Sequence, residues 1–268
     1  MPSAKTGSHQ IVEVEAKKNV TLYTLDNGEI LTLSHSVGAD FYLYRQKIVS
    51  EDDLKAIKLA QQKRTLFEYA LKKMHGKYLS EATITSLLFD FAENPSLIAS
   101  VMSDLKKKQY IDDVRFGRQL LETCQNKHYG NDKILEEFKK ARIKETVVND
   151  LELTEEDEYQ RGLMLVPILE KKLLRNNYRQ KKSKVYQQLM RYGYQRDNIQ
   201  LLINHLSEID DEVESSLLKK DYDKAYVRYQ KKYDKQELFR HTMNYLLTKG
   251  YTYKDIKALW EGHNDDMD

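Results

Sequence analysis

A single cysteine, Cys124, leaves this 268-residue chain no internal disulfide to form. That is the expectation for a reducing cytosol. Three prolines and ten glycines are few breakers for such a length, so long helices can run with little interruption. Long apolar stretches are missing too. The longest, 163–169, falls far short of a bilayer span, and no apolar segment follows Lys5 to make a signal peptide. Opposite charges nearly cancel, with 44 Lys and Arg against 42 Asp and Glu. Whole-chain charge therefore points to no class of partner.

Enzyme signatures are also wanting. No Gly-x-x-x-x-Gly-Lys loop is present to cradle a phosphate. The seven histidines, His9, His35, His75, His128, His205, His241 and His263, are scattered, without the i, i+4 spacing that aims two imidazoles at one metal. Cys124 and His128 do share that spacing, but one pair does not make a site, and a half-buried thiol beside a surface His accounts for it. Asp112-Asp113 and Asp210-Asp211 fall at helix starts, where carboxylates stabilise exposed amides by roughly 1 kcal/mol. Neither catalysis, nor a cofactor, nor a metal is expected.

What the chain does have is charge and a rhyme. Hydrophobic residues make up 40%, charged residues 32%, and mean hydropathy is −0.72. A core must therefore come from narrow apolar stripes on helices. Lys184-Val185-Tyr186-Gln187-Gln188-Leu189-Met190-Arg191-Tyr192-Gly193-Tyr194 ends an amphipathic segment at a glycine. Met243-Asn244-Tyr245-Leu246-Leu247-Thr248-Lys249-Gly250-Tyr251 repeats the pattern 57 positions later. Upstream, the segment from Lys133 to Ile143 fits the same frame, with Arg142 in the glycine's place. Such a period means stacked helical units, and extended surfaces of that kind usually serve binding.

The N-terminal region reads differently. After a tail over 1–8, Ile11-Val12-Glu13-Val14 and Val20-Thr21-Leu22-Tyr23-Thr24-Leu25 are β-rich, and Asn27-Gly28 sits before Ile30-Leu31-Thr32-Leu33. Asn-Gly between alternating apolar residues predicts a hairpin with positive φ at both central residues. Phe41-Tyr42-Leu43-Tyr44 extends this small sheet, which must pack on the first helix to be stable.

Helices follow from Ser50. The expected fold is mainly α, four tandem three-helix repeats behind a short β-hairpin module. The boundaries are 1–50 for the tail and hairpin, 51–112 for the first repeat with a leading helix, then 113–158, 159–209 and 210–268. Gly76 is placed for a left-handed cap, Ser80 for an N-cap and Pro95 for a first turn. Pro167 should kink or restart its helix, and 264–268 should be a frayed tail. Leu88, Leu105, Leu120, Phe138, Leu189, Leu202, Leu246 and Trp260 are the expected core.

Charge is distributed in blocks. Lys171, Lys172, Arg175, Arg179, Lys181, Lys182, Lys184, Arg191 and Arg196 fall within 171–196 without one Asp or Glu. Residues 145–158 are as one-sidedly acidic, and Glu208-Ile209-Asp210-Asp211-Glu212 forms a second acidic knot. Solvated helix faces explain such runs as readily as partners do. If the basic block binds a partner, Arg175, Arg179, Lys181, Lys182, Lys184, Arg191 and Arg196 are the candidates, with the first five expected to point outward.

Tyr110-Ile111-Asp112-Asp113-Val114-Arg115-Phe116-Gly117 resembles the junction between units of the RecX family of RecA regulators: aromatic, aliphatic, Asp-Asp, then Phe and a small residue. The preceding Met102-Ser103-Asp104-Leu105-Lys106-Lys107-Lys108-Gln109, the two Leu-to-Gly segments and the N-terminal hairpin of Gram-positive members fit as well. The resemblance spans about residues 11–260. Gly117 stands where many members have Ala, Arg142 where the turn glycine usually falls, and Ala92-Glu93-Asn94-Pro95 where the first unit has its turn. The lone Cys124 fits a cytoplasmic protein, and a repeat array with polar ends is expected to be monomeric. The resemblance implies an elongated, curved regulator. It would bind RecA protein and lie in the groove of the RecA–single-stranded-DNA filament, impeding filament growth, strand exchange, ATP turnover and co-protease activity. A stand-alone nucleic-acid-binding repeat protein is the alternative. Its stacking residues would come from Tyr178, Tyr186, Tyr192 and Tyr194, with Tyr178 the best placed and Tyr186 and Tyr194 facing inward. Weak direct contact with DNA is compatible with either.

Overall fold

Ser50 accepts a hydrogen bond from the Asp53 amide at 3.1 Å, and Asp53 accepts from the Ser50 amide at 3.3 Å. This reciprocal cap starts α2 (Glu51–Met74), the hinge of the N-terminal architecture. The computed structural model describes residues 7–265. Four strands precede or abut α2: β1 (Ser8–Ala16), β2 (Val20–Leu25), β3 (Ile30–Ser34) and β4 (Ile48–Ser50), with α1 (His35–Asp40) between the last two. They form one antiparallel sheet in the order β3-β2-β1-β4. Its inner face (Ile11, Tyr23, Leu25, Leu31, Leu33, Val49), with Val37 of α1, closes on Leu54 and Ile57 of α2. At roughly 1.5–3 kcal/mol per buried large apolar side chain, a sheet this small needs that helical cover.

The sheet is larger than the expected hairpin, and three details differ. Ser8 already opens β1, so the expected tail shortens; residues 1–6 lie outside the described residues. Only Gly28 of the Asn27-Gly28 pair takes positive φ, at 86°. Asn27 instead accepts the Glu29 amide with its side chain at 2.9 Å, making a longer loop. Phe41-Tyr42-Leu43-Tyr44 is not a strand, because Tyr42 has φ 49°, which breaks an extended ladder. Lys47 Nζ holds that loop through the Phe41 and Tyr42 carbonyls at 2.6 and 3.2 Å.

The remaining helices are α3 (Glu81–Phe89), α4 (Pro95–Lys107), α5 (Asp113–Asn126), α6 (Asn131–Lys140), α7 (Glu145–Asn149), α8 (Glu155–Lys172), α9 (Tyr178–Arg191), α10 (Arg196–Ile203), α11 (Asp211–Tyr229), α12 (Lys235–Lys249) and α13 (Tyr253–Asp265). The chain is thus mainly α with a small N-terminal sheet, as expected. It divides into two compact units, residues 1–117 with 141–147, and residues 118–140 with 148–268. In the first, the C-terminal half of α2 packs with α3 and α4 around Leu66, Ile84, Leu88, Val101 and Leu105. In the second, α8, α9 and α10 bury Leu165, Val185, Leu189, Ile199 and Leu202. There α11, α12 and α13 bury Leu218, Tyr222, Met243, Leu246 and Ile256.

Six of the eight expected core residues are buried. Leu120 is only half-buried, Cys124 one turn later taking the inner position at 2% exposure. Trp260 is also half-buried, its ring lying 5.0 Å from Phe239 and 5.9 Å from Tyr226 as a lid on the core. α8 does not restart at Pro167: it is one continuous helix, with Pro167 on its exposed face, where water can serve the carbonyl it leaves free. Asn264 and Asp265 belong to α13, and residues 266–268 lie outside the described residues.

One joint recurs between successive triplets. The first amide of each second helix is accepted by a carboxylate from the start of the next triplet. Glu81 N–H donates to Asp113 at 2.8 Å, Asn131 N–H to Glu158 at 2.7 Å, and Tyr178 N–H to Glu214 at 3.1 Å. The following triplet's turn then packs on the same spot. Gly130 N–H donates to the Tyr192 carbonyl at 2.8 Å and Asp132 N–H to the Gly193 carbonyl at 3.1 Å. Asn177 Nδ2 donates to the Lys249 carbonyl at 3.0 Å. Lys144, just past Arg142, pairs with Glu81. The turn at Arg142 is made by the residue itself in the left-handed region, φ 54°. Asp112 caps its own helix through the Arg115 amide at 2.9 Å, so the two junction aspartates cap two different helices.

Glu81 adds an electrostatic signature to the first joint. Burial alone would raise its pKa, but Lys106 and Lys144 outweigh burial and hold the carboxyl below its ordinary value of 4.5. Folding favours the ionised form, so this contribution is complete above pH 4.5 and disappears as pH falls through the lower folded pKa. Glu81→Gln is expected to be less stable at neutral pH and to flatten the acid limb of unfolding free energy. Equal acid slopes for the two proteins in urea titrations would refute this.

Candidate interaction surface

The basic block spans the end of α8, the loop to α9, α9 itself and the start of α10. Asn177 starts α9 by accepting the Gln180 amide at 2.8 Å. Lys181, Val185 and Leu189 form its buried stripe, at the i, i+4, i+8 spacing of one helical face. Arg175, Arg179, Lys182, Lys184, Arg191 and Arg196 are exposed.

Lys181 is not. It is 5% exposed, its Nζ 3.4 Å from Glu170 and 3.3 Å from the Ser207 carbonyl. Glu170 also accepts the Ser207 amide at 2.9 Å. Lys181 therefore ties the end of α8 to the segment after α10, and it leaves the list of outward-pointing candidates. The reason is register: position 181 repeats at i+4 with Val185, so the outward block of cations is broken by the helix period. Arg179 is exposed, but its stem runs under Gly250, where a Cβ would come 2.8 Å from Arg179 Cδ. It is partly a packing residue.

The six exposed cations are spread along the segment: Arg175 precedes α9, Arg179, Lys182 and Lys184 lie in its first half, Arg191 ends it and Arg196 starts α10. Along the axis Arg191 is about 18 Å from Arg179 and about 10 Å from Lys184 at 1.5 Å per residue. Among the described residues, Arg175, Lys182 and Lys184 enter no ion pair with a carboxylate, so their charge is available to a partner. The acidic block behaves differently from a solvated face at one position: Glu158 is fully buried and accepts three hydrogen bonds.

Of the four tyrosines of the block, only Tyr194 is fully withdrawn from solvent. Tyr194 is 2% exposed and donates to the His128 carbonyl at 2.8 Å; burial pushes its phenol pKa well up. Tyr178, Tyr186 and Tyr192 are half-buried and pack on the α8–α10 core. Tyr178, the best-placed candidate by sequence, is held there because it is the first residue of α9 and its amide is clamped by Glu214. Cys124 is buried, which raises its thiol pKa, and no three His, Cys, Asp or Glu among the described residues are placed to hold a metal ion. No described helix is long and apolar enough to cross a membrane.

Sequence reasoning missed the joint itself. A signal existed: an Asp or Glu within the first turn of each triplet, at 113, 158 and 214, following a small or polar residue that opens the previous second helix at 80, 130 and 177.

No family model matches the chain. It is 30% identical over 259 residues to a protein of Streptococcus thermophilus (strain CNRZ 1066) described as Regulatory protein RecX, spanning 93% of this chain and 97% of that one. A Streptococcus pneumoniae (strain Hungary19A-6) protein of the same description is 26% identical over 254 residues, with the same coverage. Among solved structures, a crystal structure of regulatory protein RecX superposes with a TM-score of 0.56 at 21% identity, covering 74% of this chain and all of that one. That likeness shows a shared fold.

Proposed function

Since the chain belongs to the RecX family of regulatory proteins, we propose that it binds RecA and the RecA–single-stranded-DNA filament and restrains recombination, ATP turnover and co-protease activity. The observation that carries this reading is the match along almost the full length of a relative, 97% of it, at 30% identity. In this reading the protein is a cytoplasmic monomer that acts by occupancy, without catalysis, cofactor or metal. The repeats at 51–112, 113–158, 159–209 and 210–268 supply the binding array. Exposed, unpaired Arg175, Lys182 and Lys184 support a salt-sensitive contact with acidic RecA surface or DNA phosphate.

The test is RecA ATP turnover on single-stranded DNA titrated with this protein. Inhibition well below one copy per RecA is expected, and it would indicate blocked filament growth. Turnover unchanged at equimolar protein would end the reading.

The basic face gives a sharper expectation. Arg175→Glu, Lys182→Glu and Lys184→Glu together should raise the half-inhibitory concentration by about tenfold, the sum of three exposed ionic contacts at roughly 0.2–1 kcal/mol each. Melting temperature should barely move, since surface substitutions usually shift stability by no more than about 0.5 kcal/mol. Lys181 is left intact because its reversal would set a carboxylate against Glu170. Full inhibition by the folded triple variant would remove this face from the binding surface.

A further inference from the structure

Flat rings that pack on no apolar core, beside unpaired cations, are found at another place. Tyr222, Tyr226, Tyr229 and Tyr233 recur at i, i+4, i+7 and i+11 along α11 and into the loop that follows. Tyr222 is in the core, and Tyr226 packs on it. Tyr229 and Tyr233 emerge beyond that core and meet His241 of α12. Tyr233 and His241 are stacked with centroids 4.0 Å apart at 18°, and Tyr229 lies 5.7 Å from His241 and 6.0 Å from Tyr233. All three rings are half-buried and lie outside the α11–α13 core cluster, so each keeps part of its surface in solvent while its neighbours hold it in place.

Cations surround this row. Residues 219–249 carry nine Lys and Arg against four carboxylates, whereas the whole chain is nearly neutral. The carboxylates are engaged: Asp221 with Lys249 at 2.7 Å and the Tyr251 hydroxyl at 3.0 Å, Asp234 in capping the Glu237 amide at 2.9 Å, and Glu237 with Arg240 at 3.5 Å. Asp223 is exposed. Arg228 lies over the Tyr229 ring at 5.5 Å, and Lys231, Lys232 and Lys235 in and after the loop are exposed and enter no ion pair among the described residues. Rings that a base can stack on, beside unpaired ammonium groups, are what sequence-tolerant recognition of a single strand requires. A duplex hides its base faces and would use only the charges.

We propose that the corner where α11 meets α12, built on Tyr229, Tyr233 and His241 with Arg228, Lys231 and Lys232, binds single-stranded DNA directly and without RecA. The site stands on this geometry alone; only the choice of DNA over RNA rests on the proposed function. The experiment uses the full chain with no other protein, and fluorescence anisotropy of a labelled 20-mer of deoxythymidylate. Saturable binding that weakens with salt is expected. It should be weakened about tenfold by Tyr229→Leu with Tyr233→Leu, which keeps the apolar packing, and comparably by Lys231→Glu with Lys232→Glu in the loop, which touches no core. Circular dichroism confirms that each variant is folded. No binding, or binding indifferent to the loop variant, overturns the proposal. So does equal affinity for a duplex of the same length or for polyglutamate, because either would mean charge without stacking. Tighter binding of an oligouridylate overturns the choice of DNA. None of these outcomes touches the RecA titration, so the two readings fail separately.

Discussion

Glu158→Ala is expected to destabilise the protein by about 3–5 kcal/mol, lowering the melting temperature by roughly 10 °C. One carboxylate oxygen accepts the Asn131 amide at 2.7 Å; the other accepts the Gln195 amide at 3.0 Å and Asn198 Nδ2 at 2.7 Å. The side chain is fully buried, so water cannot replace it without opening the joint. Alanine would leave two backbone amides unpaired, each at about 1–3 kcal/mol if it stays dry, and would take one of the two hydrogen bonds of Asn198 Nδ2, which keeps the Glu155 carbonyl at 3.0 Å. The loss is softened only as far as the joint relaxes. Nearby Asn131 is itself held by Arg161 and by the Leu153 and Thr154 carbonyls, which limits that relaxation. Glu158→Gln keeps an acceptor and should cost less, and Glu156→Ala, on the exposed side of the same turn, should cost under about 0.5 kcal/mol. Thermal melts of the three variants check the order. A Glu158→Ala protein as stable as Glu156→Ala would mean the joint contributes nothing.

Glu158 also marks where the sequence could be read and where it could not. Period carried the helices: the stripe of Val185 and Leu189, the cap at Ser80 and the turn before Gly250 follow from local rules, and each is found in the structure. Local rules also place Glu158 in the acidic first turn of α8, and there they stop. Whether a carboxylate in a first turn faces water or the previous triplet is decided by the arrival of a segment 27 residues upstream, which no local pattern encodes. Lys181 failed in the same way. Its type and its neighbours said surface, and the helix period said core. Period won because Glu170 and Ser207 were in reach to satisfy the ammonium. The fourth strand was missed because Ile48-Val49-Ser50 is too short to signal by itself and exists only as a partner for β1. Helices are thus legible from their own period, whereas the joints depend on contacts between segments far apart in the chain.

Gly193→Ala should be as severe as Glu158→Ala, for a different reason, and Gly76→Ala provides the measure. Both glycines end a helix with positive φ, 77° at Gly193 and 72° at Gly76. Both substitutions therefore incur the left-handed penalty of about 1–2 kcal/mol. At Gly76 a Cβ meets nothing within 4 Å, and the penalty should be the whole effect. At Gly193 the same atom would stand 2.3 Å from the Lys133 amide nitrogen and 2.6 Å from Lys133 Cβ. Backbone cannot move aside as a flexible side chain can, so the turn must lift off α6. Lifting it breaks the bonds from Gly130 to Tyr192 and from Asp132 to Gly193. Together these should cost at least about 3 kcal/mol, two lost backbone bonds of roughly 1 kcal/mol each being added to the left-handed penalty. Arg142 shows that the left-handed conformation by itself does not exclude a side chain, so it is the close approach of α6 that should make Gly193 the more sensitive of the two glycines. Arg142 makes the same turn in the second triplet at φ 54°, and a charged side chain is accommodated there. Urea midpoints for Gly193→Ala and Gly76→Ala decide the matter. If the two fall together, the close approach of α6 to this turn carries no energy, and the joint is held by its carboxylates alone.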